Sequence, residues 1–372
     1  MKTIYLDYNS THPPFREILE NSLDSYIKNF YNPSGITRFS LQRQALIEEA
    51  RTYFAKLCNK PKESFVFCST GTEANHLLVA VIASLQEFPA RVYTSPFEHS
   101  SMYGALRHFG IEQVLIKALP NGQVDLEDLE SKLKSSPYPV ICILAANETG
   151  VIQPYQEISR LCRYYGVKFY SDLMQAFAKI EIDFSKIDGF TCSGHKIGAG
   201  IGASLVCLPS EGIDPEIKLF YGGNQENGKR AGTENTFAIE CFVQASKLQY
   251  QSMEEKNQRL LKFRNLIDTN MKKLGCKIIS EFAPRLPSTT FLILPIEDID
   301  FFMMGLEEKG IVVSTGSSCK SRSREPSFSL LQMGYSKEQA LRAIRISTGF
   351  FTLEEEINYF LETSSTLLKV LC

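Results

Sequence analysis

The sequence predicts an α/β protein: a large domain on a mostly parallel, helix-covered sheet, joined to a smaller α+β domain. Three observations carry this reading. The chain has 372 residues, more than one average domain. Its middle alternates short apolar runs with helical periodicity, the pattern of strand–helix–strand units. After about Lys262 the pattern changes, with strand-like runs at Ser288 to Leu294, Ile311 to Thr315 and Ala343 to Thr348 separated by helices.

In chain order, Leu46, Ile47, Ala50, Tyr53, Phe54 and Leu57 recur at spacings of three and four, the stripe of an amphipathic helix. Ser64 to Ser69 reads as a buried strand and Thr72 to Leu85 as a helix directly after it. Arg91 to Ser95, Val140 to Ala146, Val167 to Ser171, Phe190 to Ser193 and Ala203 to Leu208 are further strands, and Tyr155 to Tyr165 is helical. Thr352-Leu353-Glu354-Glu355 has the form of a capping box opening a final helix.

Composition narrows the functional classes. Hydrophobic residues make up 44% and charged residues 22%, as in ordinary soluble globular proteins. A net charge of -2 argues against nucleic acid or an anionic membrane as the main partner. Met1 to Asp7 lead into Tyr8-Asn9-Ser10 without the apolar core of a signal peptide, and no apolar run is long enough for a membrane helix. The ten cysteines form no C-x-x-C pair, and most sit in apolar runs such as Val140-Ile141-Cys142-Ile143-Leu144. Nine read as small buried hydrophobes in a reducing cytoplasm, and no zinc or other metal is expected. The expected location is cytoplasmic.

Chemistry enters with Ser193-Gly194-His195-Lys196. A lysine just past a buried strand, in a small-residue loop, can be desolvated enough to serve as an amine nucleophile. Most lysines are solvated surface residues, so this segment alone decides little. Asp172 ends the preceding strand-like run and is a carboxylate able to pair with a pyridinium nitrogen; alone it reads equally as a helix cap. Ser69-Thr70-Gly71-Thr72-Glu73 joins an apolar strand to an apolar helix and offers backbone N–H groups to a phosphate, or is an ordinary capping turn. Lysine, aspartate and phosphate turn together are what a pyridoxal-phosphate site requires. Finally, Cys319 lies in the polar loop Val313 to Ser321, where Lys320, Arg322 and Arg324 favour its thiolate.

These residues resemble the cysteine desulfurases, which share the class-V aminotransferase fold. The resemblance spans nearly the whole chain. Tyr5 to Thr11 is similar to the family's opening strand and turn, Asn32-Pro33-Ser34 to an early active-site turn, and Ser69 to Asn75 to the cofactor-phosphate turn. Glu98-His99, Asn147-Glu148-Thr149-Gly150, Asp172-Leu173-Met174-Gln175 and Ser193 to Ile197 resemble its cofactor-contacting segments. Gly222 to Asn235, with Arg230 and Gly232-Thr233, resembles a segment lent to the neighbouring subunit. Ser317-Ser318-Cys319 is similar to the sulfur-accepting site, and Ala343 to Ser347 to the strand carrying the substrate-carboxylate arginine.

The resemblance implies a fold type I pyridoxal-phosphate enzyme with a seven-stranded, mostly parallel sheet. Its large domain would span 15–261, and its small domain would comprise 1–14 and 262–372 and carry the cysteine loop. Lys196 would hold pyridoxal 5'-phosphate covalently and move the α-proton of L-cysteine, Asp172 would pair with the pyridine nitrogen, and His99 would stack on the ring. Gln175 and Asn147 are implied to touch the ring oxygen or the substrate. Gly71, Thr72, Ser193, His195 and the partner subunit's Thr233 are implied to hold the phosphate. Arg345, with Asn32, would grip the substrate carboxylate. Cys319 would then take the sulfur as a persulfide, releasing alanine, for delivery to iron–sulfur cluster or thiolation acceptors; separately, the cations Lys320, Arg322 and Arg324 beside it predict an acidic face on the acceptor. The implied assembly is a homodimer. Alternatives are a selenocysteine lyase, another class-V enzyme of the aminotransferase kind, or a catalytically idle sulfur-relay scaffold. Three departures stand out: the stretch Ile197 to Ile201 is about two residues short, Arg322 and Arg324 replace Gly and an apolar residue, and His12 stands at a small polar position.

Overall fold

The computed structural model describes residues 3–87, 89–209, 217–315 and 325–371. In chain order the elements are β1 (Ile4–Tyr5), α1 (Arg16–Lys28), α2 (Arg38–Cys58), β2 (Phe65–Cys68), α3 (Gly71–Ser84), β3 (Arg91–Thr94), α4 (Ser100–His108), β4 (Glu112–Leu115), α5 (Leu126–Ser135), β5 (Val140–Ile141), α6 (Tyr155–Tyr164), β6 (Phe169–Asp172), β7 (Gly189–Ser193), β8 (Ser204–Cys207) and α7 (Thr236–Gln251). Then follow α8 (Met253–Lys273), β9 (Lys277–Ile278), β10 (Thr289–Ile293), α9 (Ile299–Glu308), β11 (Ile311–Val312), β12 (Ser314–Thr315), α10 (Phe328–Gln332), α11 (Lys337–Leu341), β13 (Ala343–Ser347) and α12 (Glu354–Leu371).

Seven strands form the large sheet in the order β2-β8-β7-β6-β5-β3-β4. All run parallel except β8, which pairs antiparallel with both β7 and β2. The sheet is therefore mostly parallel, as the sequence predicts. Its central strands are buried along their whole length, because helices cover both faces. On one face α3 packs between sheet and α4, so the helix is apolar nearly all round. On the other face Phe54 of α2, Phe177 and Phe242 of α7 interlock, with ring centroids 4.9 to 6.1 Å apart.

The C-terminal region builds a four-stranded antiparallel sheet in the order β12-β13-β10-β9. A separate parallel pair joins β1 to β11. Ile4 and Leu6, from the start of the chain, share an apolar cluster with residues between Leu260 and Leu368.

Three sequence expectations need correction. The strand expected over Val140 to Ala146 ends at Ile141. Beyond it Cys142 N and Leu144 N still donate to Tyr170 O and Asp172 O of β6 (both 3.0 Å), while Ile143 N donates to the Glu98 carboxylate (2.6 Å) instead of to a strand. Ile311 to Thr315 is split at Val313, because Ile311–Val312 pairs with β1 and Ser314–Thr315 with β13. The capping box at Thr352 does not form: its hydroxyl accepts from Gly349 N (2.9 Å), and Glu356 accepts from Leu353 N (3.1 Å). A complete box forms instead at Ser336 and Gln339 on α11.

Candidate active site

Strands β2, β3, β5, β6 and β7, which lead to most of the predicted site residues, all end at one edge of the large sheet, the carboxyl edge where α/β proteins open a crevice. Asp172 is the last residue of β6 and only 1% exposed. Its Oδ1 accepts from Met174 N (2.8 Å) and its Oδ2 from Asn75 Nδ2 (3.0 Å). Asn75, four residues along α3 from Gly71, also donates to Ser101 Oγ (2.9 Å) and accepts from Thr191 Oγ1 (2.6 Å). Burial raises the Asp172 pKa, while these donors and the nearby His99 and Lys196 favour its charged form. His99 caps α4, its Nδ1 lying 2.8 Å from Ser101 Oγ.

Thr70 caps the helix that follows β2, accepting from Glu73 N, while the Glu73 carboxylate accepts from Ser69 N (2.8 Å). Arg230 fastens this turn from outside, donating to Glu73 Oε1 and to Ser69 Oγ, both at 2.8 Å. Gly71 packs close to the Met174 side chain: a Cβ there would stand 2.8 Å from Met174 Cε, so a larger residue would have to displace that thioether.

Lys196 follows β7 on a single helical turn (Gly194–Lys196). Its Nζ donates to Asn9 O and Ser10 O, both at 2.8 Å. Burial, and secondarily the Arg345 guanidinium, lower its pKa from 10.5 to about 8, against the opposing pull of Asp172 and Asp7. The His195 imidazole is lowered to about 4 by burial and the neighbouring lysines. Opposite stands Arg345, in the middle of β13. It donates through Nη1 to Asn147 O (2.9 Å) and through Nη2 to Asp7 Oδ1 (2.7 Å) and Ser10 Oγ (2.8 Å). Its Nε is buried with no hydrogen-bond partner among the described residues.

These groups line one cavity of about 690 Å³. Of the predicted residues, Gly71, Thr72, His99, Asn147, Asp172, Gln175, His195, Lys196 and Arg345 face it. Ser193 lies behind the wall, accepting from Ser204 Oγ (2.8 Å). Asn32 and Thr233 do not line the cavity of their own chain; both are exposed. The Gln175 amide is tied to protein groups, donating to Asn9 O (2.8 Å) and accepting from Lys179 Nζ (2.7 Å). Cys319, with Lys320, Arg322 and Arg324, lies outside the described residues, but Thr315, just before that segment, lines the cavity. Asp7 and Asn75 also belong to the site, although the sequence assigns them no role. The signal for Asn75 was a polar residue on an otherwise apolar helix, one turn after Gly71.

The residues present fit pyridoxal phosphate. A buried carboxylate held by two donors, a glycine turn at a helix N-terminus and a lysine amine share one cavity. The sequence pattern of the class-V aminotransferases matches residues 4–360. A cysteine desulfurase IscS of Rickettsia africae is 34% identical over 366 residues, covering 96% of this chain and 88% of the relative. One from Clostridium botulinum is 31% identical, covering 99% and 95%. The chain belongs to the cysteine desulfurase family, within the class-V aminotransferases. Among solved structures, a NifS-like protein from Rickettsia africae superposes with a TM-score of 0.89 at 31% identity, covering 99% of this chain and all of the other. Enzymes of this family depend on pyridoxal phosphate. Among the described residues no helix is long and apolar enough to cross a membrane.

Proposed function

We propose that this cysteine desulfurase converts L-cysteine to L-alanine and carries the sulfur as a persulfide on Cys319. The observation that carries this reading is the meeting of Lys196, Asp172 and the Gly71 turn in one cavity, with Arg345 across it. Bound there, pyridoxal phosphate supplies an electron sink that weakens bonds at the substrate α-carbon. The Gly71-Thr72 turn would hold its phosphate, with His195 beside it, and Asp172 would face the ring nitrogen. Lys196 is the amine that anchors the cofactor, and when released it takes the α-proton. Its lowered pKa leaves a sizeable neutral fraction near pH 8, as a nucleophile and base both require.

Arg345 already spends two nitrogens on Asn147, Asp7 and Ser10, which lock the plane of its guanidinium. The guanidinium so held lines the cavity and would pair with the substrate carboxylate. The Cys319 thiolate then attacks the substrate sulfur. An S–S bond forms, the Cβ–S bond breaks with its electron pair staying on the substrate, and protonation at Cβ, with return of a proton from Lys196 to Cα, gives alanine.

The eight described cysteines are all buried, and burial pushes up the thiols of seven of them, Cys58, Cys68, Cys142, Cys162, Cys192, Cys207 and Cys241, with Cys162 and Cys207 at about 12, so none of these seven offers a ready thiolate. Thr233, exposed beside the anchored Arg230, would complete the partner subunit's phosphate site in a homodimer. An acceptor protein with an acidic face would receive the sulfur. The experiment is incubation of the purified enzyme, in the presence of a thiol reductant that releases the persulfide sulfur as sulfide, with L-cysteine and, separately, with L-selenocysteine. Equimolar alanine and sulfide from cysteine support the reading; release of alanine from selenocysteine alone would make it a lyase of that substrate.

A further inference from the structure

His12, one of the departures from the family pattern, sits at the centre of a buried chain of hydrogen bonds that ends on the loop carrying Lys196. The residue is 5% exposed and ringed by Tyr8, Phe15 and Phe351, with ring centroids 5.0, 5.3 and 5.8 Å away. Its Nδ1 lies 2.6 Å from Pro13 O, a group that only accepts, so the proton sits on Nδ1. Nε2 is then a lone pair, and it faces the side-chain amide of Gln249 on α7 at 3.3 Å. That amide has its orientation dictated from both sides. Lys256 Nζ can only donate, and it points at Gln249 Oε1 (2.5 Å), so the NH2 must face His12 and Ile197 O (3.0 Å).

Ile197 directly follows Lys196. The same short segment around His12 grips the loop at every other point. His12 N donates to His195 O and Phe15 N to Gly198 O, each at 2.9 Å. Lys196 Nζ itself rests on the carbonyls of Asn9 and Ser10. Gly198 adopts φ +90°, and a Cβ there would stand 2.6 Å from Phe15 Cε2 and 2.9 Å from His12 Nδ1. The loop lies directly against residues 12–15.

We propose that His12, acting through Gln249, is a positioning residue for Lys196: it fixes the backbone of the shortened loop so that the amine is held where the cofactor is captured. This rests on the reading of Lys196 as the cofactor anchor. The role is distinct from core packing, because it predicts that the acceptor at Nε2 matters and that His12 and Gln249 act as one unit.

The test measures pyridoxal-phosphate capture by the apo chain, followed by absorbance, and amide hydrogen exchange at Ile197 and Ala199, both of which donate to Gly194 O. Steady-state kinetics of the holoenzyme complete it. His12→Thr and Gln249→Leu are each expected to slow capture about tenfold, the order expected of a sub-ångström misplacement. Both should speed exchange at the two amides and lower kcat, with KM for L-cysteine within about twofold. The double variant should be no worse than the worse single one, and His12→Gln, which restores an acceptor near Nε2, should recover most of the capture rate. Parent capture and exchange rates in both single variants, even with a lowered Tm, would overturn the proposal. If His12→Thr fails to fold, Gln249→Leu decides alone by the same two readouts. Lys196→Ala separates the two levels. If it still captures cofactor covalently, the anchor is wrong. If it captures none while His12→Thr behaves as the parent, only the role of His12 falls.

Discussion

Burial raises the Asp172 carboxyl, and what opposes protonation is the backbone N–H of Met174 and the amide of Asn75. Lys196 shows the complementary shift, lowered to about 8 by burial. Neutral amine forms as pH rises through that value, so the rate of cofactor capture by the apo chain should rise about tenfold per unit below pH 8 and level off above it. Stopped-flow absorbance between pH 6 and 9.5 checks this. A midpoint near 10 would mean that Lys196 is solvated. Lys196→Ala should abolish both the lysine-bound absorbance and alanine formation. At this scale the sequence disclosed the reacting groups, because lysine, aspartate and the Gly-Thr turn fall at strand ends. It did not disclose the pairs that tune them. Asp7 and Arg345 meet over 338 positions, and the Glu98 carboxylate stands in for a strand; no local periodicity reports such contacts.

Among the elements, buried strands were legible as apolar runs and the covering helices by their three-and-four spacing. Strand β4 was not, since Glu112 and Gln113 are exposed at the sheet edge and carry no apolar run. The segment after β8 is also held by a contact invisible to pattern. Glu226, at φ +51°, accepts a two-pronged bond from Arg51 of α2 (2.8 and 2.9 Å) and a third from Phe67 N (2.8 Å). The Arg51 and Glu226 side chains are 4% and 0% exposed. Removing one partner strands a buried charge, so Arg51→Met should destabilise the fold by about 3–5 kcal/mol. Arg51→Met combined with Glu226→Gln should cost clearly less than the two separately. Urea denaturation of the four proteins measures the cycle. Additive costs would mean that the pair contributes little beyond packing.

For the whole molecule, the large sheet and the β13 sheet meet at the cavity, which brings Arg345 opposite Lys196 and Asp172. Thr233 and Asn32 remain outside it. Phe30, Ile36 and Tyr221 are 66%, 95% and 77% exposed, and Gln225 bonds Ser34 (3.1 Å), which makes these two segments neighbours. So much apolar surface on adjoining loops fits coverage by a second copy of the chain. Light scattering should give a dimer, and Thr233→Ala should weaken cofactor retention; a fully active monomer would contradict both.

The account stands or falls on where the sulfur goes. Holoenzyme treated with L-cysteine, digested without reductant and examined by mass spectrometry should gain about 32 Da, one sulfur atom, on the peptide containing Cys319. Cys319→Ser should keep its bound cofactor and lose the adduct. The added sulfur on any other cysteine, or alanine release at the parent rate from Cys319→Ser, would contradict it.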